Sequence, residues 1–303
     1  MTRLLALAIT TALCASASPP KAHPSQVRVP LWSDAPVGKI DARINNSSAP
    51  VLLVQSPGSD LVILIVLDLA GDPALVDEAK KALAGQIQAL PANAYVGLLR
   101  AQDGGLVLSD PTADHAPALR ALEAYAPGGK AGLLDTLEQM GTIADAMVSQ
   151  SAARTALLYI TDSDVANYRE DFTNPVINGS DPHDLSRKYP EALVQEKISK
   201  LARIVAAQQA PLFIVHLNSR SGRLNEAYQN GLKILAEATS GASELCHSSA
   251  EIAPAIQKTF ETIQAAYILT LKLPDRAREN LQIHLESGEA RLTYRGRLTL
   301  KLK

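Results

Sequence analysis

Three unbroken apolar runs punctuate the chain, and stretches of helical period lie between them. The first, LVILIVLD (61–68), is too short to cross a bilayer and rich in Val and Ile, which predicts a strand buried on both faces of a parallel sheet. TALLYIT (155–161) and PLFIVHL (211–217) repeat the pattern, and the first two runs end on acidic residues, Asp68 and Asp162. Val76, Ala79, Leu83, Ile87 and Leu90 recur at helical spacing, with Pro73 placed as the first helical residue and Asp72 as its N-cap. Leu134, Leu137, Met140, Ala144 and Met147 mark a helix at 132–149. Val194, Ile198, Leu201 and Val205 mark another at 190–209, and Ile252, Ile256, Phe260 and Ile263 a third at 249–264. Further helices are expected at 113–126 and 224–239, the latter stopped by Ser240-Gly241. YVGLLRA (95–101) and GLVLS (105–109), joined across Asp103-Gly104, read as a hairpin.

The two ends of the chain change period. VRVPLW, GKIDARIN and PVLLVQ, between residues 27 and 55, are short apolar pieces broken by Pro, Asn-Asn and Ser-Ser; AYILTLKL, LQIHLES and EARLTYRG, near the C-terminus, alternate with period two. Both sets predict antiparallel strands that pair into a small β-sandwich. The expected fold is therefore α/β, a doubly wound, mostly parallel sheet in three layers with a small antiparallel accessory unit. Its boundaries are a signal peptide at 1–17, a linker and N-terminal β segment at 18–56, the α/β domain at 57–265 and a C-terminal β segment at 266–303. Right-handed crossovers put Asp68, Asp162 and the strand-end His216 along one edge, where open α/β sheets bind ligands.

Composition changes this picture little. Of 303 residues 47% are hydrophobic and 20% charged, enough for one large core, and the net charge of −2 with no Lys/Arg block speaks against nucleic acid as partner. Arg3, the apolar run 4–14 and Ala15-Ser16-Ala17 form a secretory signal, which implies a secreted or periplasmic protein without stable membrane insertion. Cleavage removes Cys14 and leaves Cys246, expected as a buried small hydrophobe, so no internal disulfide forms.

The candidate chemistry is sparse. No Gly-x-Ser-x-Gly, Gly-x-Gly-x-x-Gly or Gly-Lys-Ser/Thr motif occurs, although Ser163, Asp162 and His216 leave an exported hydrolase as one alternative. The irregular stretch 163–188 leaves a strand at the ligand edge and holds Asp164, Tyr168 and Phe172, an anchor pattern for a protein partner.

The strand ending in Asp68-Leu-Ala-Gly-Asp72, YVGLLRAQDGGLVLSD, PGGKAGLLDTL (127–137), TALLYITDSD, APLFIVHL and the segment 235–274 together resemble a von Willebrand factor A-type domain, in its exported bacterial subgroup. The likeness covers residues 55–300 in element order. It implies a metal-ion-dependent adhesion site with Asp-x-Ser-x-Ser after the first strand, a loop threonine and an aspartate after the fourth strand, holding Mg2+ or Mn2+. Here Asp68 and Asp162 stand at the aspartate positions, but Ala70 and Asp72 replace the serines and Ala131 the threonine, so the site is degenerate. Two readings follow. One is a non-enzymatic, metal-independent protein-binding or scaffolding module whose surface is Asp68, Asp72, Ala131, Asp162, Asp164, Tyr168 and Phe172, with no cofactor; the other is a divalent-metal-dependent adhesin using Asp68, Asp72 and Asp162.

Overall fold

The computed structural model describes residues 25–130, 132–164, 190–274 and 277–300. Its centre is a six-stranded sheet in the order β10-β9-β8-β5-β6-β7, formed by β5 (Leu61–Asp68), β6 (Ala94–Arg100), β7 (Leu106–Thr112), β8 (Arg154–Thr161), β9 (Leu212–His216) and β10 (Ser243–Leu245). All neighbours are parallel except the edge strand β7. β5 lies against both β6 and β8, and every one of its residues is buried.

Strand alternation divides that run between two cores. Ile63, Ile65 and Leu67 face α1 (Pro73–Ala89), α2 (Ala116–Ala124) and α6 (Ile252–Ala265), meeting Val76, Leu83, Leu122, Ile256 and Phe260. Val62, Leu64 and Val66 face α3 (Leu133–Gln150), α4 (Pro190–Val205) and α5 (Arg223–Ala238), meeting Leu137, Met140, Ile198 and Leu232. Each fully buried Leu or Ile contributes about 1.5–3 kcal/mol, so a run buried on both sides fixes the middle of the sheet. The doubly wound α/β class expected from the sequence pattern is thus the class observed.

The accessory strands form two further four-stranded antiparallel sheets that mix both ends of the chain. One has the order β13-β1-β11-β4, from β1 (Gln26–Ser33), β4 (Val51–Gln55), β11 (Tyr267–Lys272) and β13 (Leu292–Tyr294). The other has the order β14-β12-β2-β3, from β2 (Ile40–Ile44), β3 (Ser47–Ser48), β12 (Asn280–Ser287) and β14 (Arg297–Thr299). Val29, Leu31, Ile44, Leu269, Leu271 and Ile283 make one core between them, as expected of a sandwich.

Two buried arginines fasten this sandwich to the α/β unit. Arg154 donates to the carbonyl oxygens of Pro57, Ser59, Gln264 and Ala266, and burial lowers its pKa to about 10. Arg28 donates to the carbonyls of Val148 and Ala153 and to Gln55, whose amide in turn reaches the Ala152 carbonyl. Trp32 Nε1 adds a bond to the Thr262 carbonyl at 2.8 Å. Among the described residues no helix is long and apolar enough to cross a membrane.

Candidate functional site

The sheet order brings the carboxyl ends of β5, β8 and β9 side by side, as Asp68↔Thr161 and Thr161↔His216. Asp68 is completely buried there. Its Oδ1 accepts from the Gly132 amide at 2.7 Å; its Oδ2 accepts from the Thr161 and Ser163 hydroxyls, each at 2.9 Å, and from the Leu133 amide at 3.3 Å. Gly132 and Leu133 open α3, so the carboxylate satisfies amides at a helix N-terminus that no residue of the helix's own N-cap serves. Burial raises the Asp68 pKa, against the opposing pull of these donors.

Asp162 performs the same task for the opposite loop. Its Oδ1 accepts from the Ala70 amide at 2.8 Å and its Oδ2 from the Gly71 amide at 2.7 Å, while its own amide donates to the Asp68 carbonyl. A Cβ on Gly71 would come within 2.8 Å of Asp162 Oδ2, which is why this turn carries glycine. Burial is again the main cause of a raised pKa. Asp72, by contrast, is exposed and caps α1 through the Ala74 amide at 2.9 Å, as its sequence position implies.

A hydroxyl chain backs the two aspartates. Thr161 Oγ1 and Ser163 Oγ lie 2.7 Å apart, and Ser163 Oγ is 3.1 Å from the Tyr228 hydroxyl. His216 packs edge-on against the Tyr228 ring and donates from Nε2 to the Ser163 carbonyl at 2.8 Å, leaving buried Nδ1 without a partner. Its pKa is lowered, chiefly by burial. Ser163 thus meets His216 through its carbonyl, while its hydroxyl is committed to Asp68; Cys246 is buried and its thiol is pushed up to about 11. Gln102 and Tyr125, which sequence reading passed over, close the floor: Gln102 Nε2 donates to the Tyr125 hydroxyl, which donates to the Leu69 carbonyl.

The structure therefore gathers Asp68 and Asp162 and leaves Asp72 at the rim, with half-buried Asp164 paired to exposed Arg220 at 3.5 Å beside it. Ala131, Tyr168 and Phe172 lie outside the described residues. Thr161, Gly132 and Tyr228 were missed. Thr161 and Ser163 flank Asp162 in the sequence, and that hydroxyl pair was the available signal; Tyr228 sits unmarked in an ordinary helix.

The divalent ion implied by the resemblance takes about six oxygen ligands. Asp68 Oδ2 already accepts three donors, both Asp162 oxygens meet backbone amides, Ala70 offers no side-chain oxygen, and Asp72 is turned to its helix. Among the described residues no group of three or more His, Cys, Asp or Glu is gathered to hold a metal. So arranged, these residues do not fit the ion.

No protein-family model matches the sequence, and no curated protein does. Solved structures overlay on it at low identity. A von Willebrand factor type A protein from Catenulispora acidiphila aligns over 94% of this chain and 74% of its own, at 12% identity and a TM-score of 0.48. The PilB minor pilin from Streptococcus sanguinis aligns over 71% of this chain and 63% of its own, at 10% identity and a TM-score of 0.48. BatB from Bacteroides thetaiotaomicron aligns over 67% of this chain and 98% of its own, at 16% identity and a TM-score of 0.41. The topology itself carries the conclusion. With five parallel strands, one reversed edge strand, helices on both faces, an aspartate ending the first strand of the central sheet and another directly following the fourth, the chain has the doubly wound α/β fold that the resemblance to a von Willebrand factor A-type domain implies.

Proposed function

We propose that this chain is an exported, non-enzymatic protein-binding or scaffolding module that meets its partner at the carboxyl rim of the central sheet without a metal ion. One observation carries the reading: the two aspartates positioned to hold an ion spend their oxygens on the chain's own amides and hydroxyls. They act as internal braces that set the rim loops in place. What is left facing outward is loop surface, exposed Gly71 and Asp72, residues 126–130 and the Asp164–Arg220 pair, on a rigid sheet, which is where recognition surfaces are commonly built. The separation of the Ser163 hydroxyl from His216 supports the non-enzymatic side of the reading, since an activated serine needs its base within hydrogen-bond reach.

The test is site-specific photo-crosslinking in an exporting host. A photoreactive residue replaces Asp72 or Lys130 on the rim, and Gln88, exposed at the far end of α1, serves as control. The expected result is one discrete protein adduct from the rim positions, absent at Gln88 and unchanged by EDTA. An adduct that forms only with Mg2+ or Mn2+, or none specific to the rim, overturns the proposal, as does labelling of Ser163 by a serine-directed phosphonate.

A further inference from the structure

Strand β4 ends its sheet, and among the described residues nothing pairs with its outer edge. The strand is Val51-Leu-Leu-Val-Gln55, and three consecutive residues, Leu52, Leu53 and Val54, are 52%, 44% and 39% exposed. Consecutive residues of a strand point to opposite faces, so apolar surface is open on both sides of this edge as well as along its backbone. Exposed sheet edges are ordinarily guarded by charge, proline or a bulge that turns them away. Among the described residues, the edge strand β7, with Leu106 and Val107 exposed, shows the charged kind of guard, carrying Asp110 beside Pro111 within the strand. β4 carries a bulge, its ladder with β11 passing from Leu53 to Val51 over Leu52, and Pro50 stands just before it, but the guard it lacks is charge: from Ile44 to Ser59 the sequence has no charged residue at all.

We infer that β4 pairs antiparallel with β4 of a second copy of this chain, joining the two four-stranded sheets into one continuous sheet across a twofold axis. Unpaired backbone along an edge is recognised by another strand, which completes the hydrogen-bond ladder. Charge selects which strand. In a symmetric pair every charge at the interface lies near its own copy, and like charges opposite one another are unfavourable, so a self-pairing edge must be neutral. Neutrality across β4 and both its flanks meets that condition; β7, with Asp110, does not. A twofold at Leu53 sets it opposite Leu53 of the second copy, with each Val54 meeting the Leu52 bulge, apolar against apolar. A ladder of five residues falls short of the roughly 1,600 Å2 of a standard stable interface, so the pairing is reversible and concentration-dependent. This inference does not rest on the rim reading and concerns the opposite part of the fold.

Sedimentation equilibrium of the purified protein from about 1 µM to about 1 mM reads it directly. The expected result is a monomer–dimer equilibrium that Leu53→Lys weakens at least tenfold and Leu106→Lys leaves unchanged. A protein that stays monomeric throughout overturns the inference, and so does a dimer that Leu53→Lys leaves intact or Leu106→Lys breaks. Leu53→Cys serves as the second variant. Opposed antiparallel residues lie at a Cα separation compatible with a disulfide, so mild oxidation is expected to give a covalent dimer that wild type and Leu106→Cys do not form. Failure of Leu53→Cys to cross-link at concentrations where the wild type dimerises overturns the register and with it the inference.

Discussion

Replacing Asp68 isolates the interaction on which the rim depends. Asp68→Ala removes an acceptor that serves two amides and two hydroxyls in a fully buried position. The hydroxyls can turn to each other or toward Tyr228, since Thr161 and Ser163 are already 2.7 Å apart. The amides of Gly132 and Leu133 cannot turn, because they open α3. Each buried donor left unmet costs about 1–3 kcal/mol, and relief of a buried carboxylate offsets part of that sum. The expected net loss is about 2 to 4 kcal/mol for Asp68→Ala, against about half of that for Asp68→Asn, which keeps an oxygen for Gly132. Urea unfolding followed by circular dichroism measures both. The pH dependence adds a second reading. The folded carboxyl titrates above its unfolded value, so from about pH 4 upward the folded state holds more protons at this group, and its contribution to stability falls as pH rises. Asp68→Asn removes that contribution and leaves the one from Asp162. A loss below about 0.5 kcal/mol for Asp68→Ala, or an Asn variant weaker than the Ala one, would refute the bracing role.

Three further outcomes follow from other parts of the structure. Gly132→Ala would drive a Cβ to 2.1 Å from the Ala101 carbonyl oxygen, a backbone atom, so it is expected to lower stability by at least about 2 kcal/mol in the same urea assay. Arg154→Met strips four carbonyls of their shared donor, that of Ala266 buried and the other three partly exposed, and is expected to cost about 1 to 3 kcal/mol, read as a lower thermal midpoint, and to speed proteolysis at the 55–60 junction. His216 is held neutral, with its folded pKa below the unfolded value near 6.5; the unfolded chain therefore binds the extra proton in that window, and the contribution of His216 to stability drops as pH falls below about 6.5. His216→Leu is expected to flatten that drop in denaturation at stepped pH, whatever it does to the absolute stability.

The central sheet was legible because its strands are buried on both faces, which leaves unbroken runs such as 61–67 and 155–161 that few other structures produce. The cap at Asp72 and the stop at Ser240-Gly241 were equally plain: the first is a side-chain bond two residues away, the second a positive φ at Ser240 with the Gly241 amide returning to the Ala236 carbonyl. Less could be read of the site. Asp68 and Asp162 stood out as strand-ending acids, but their partners come from residues 64 to 95 positions away, and periodicity is blind to such pairings. The bracing arginines, Arg28 and Arg154, sit in strand-like text and signal nothing until the fold brings carbonyls around them. Strand β7 runs beyond the expected 105–109, through Asp110-Pro111 to Thr112, an edge position where proline costs no ladder bond, and helix α2 is shorter at both ends than the expected 113–126.

Whether the strand-end aspartates are occupied by the chain itself or wait for an ion is decided by thermal unfolding in EDTA and in millimolar Mg2+ or Mn2+, run beside the Ala70→Ser, Asp72→Ser, Ala131→Thr variant. An ion that binds the folded protein must raise the midpoint by mass action. The expected result is a wild-type midpoint indifferent to EDTA and to both metals, with a rise only in the variant that regains the hydroxyls. A wild-type midpoint that climbs with Mg2+ or Mn2+ and falls back in EDTA would contradict the internally braced site and place a metal-dependent adhesin in its stead.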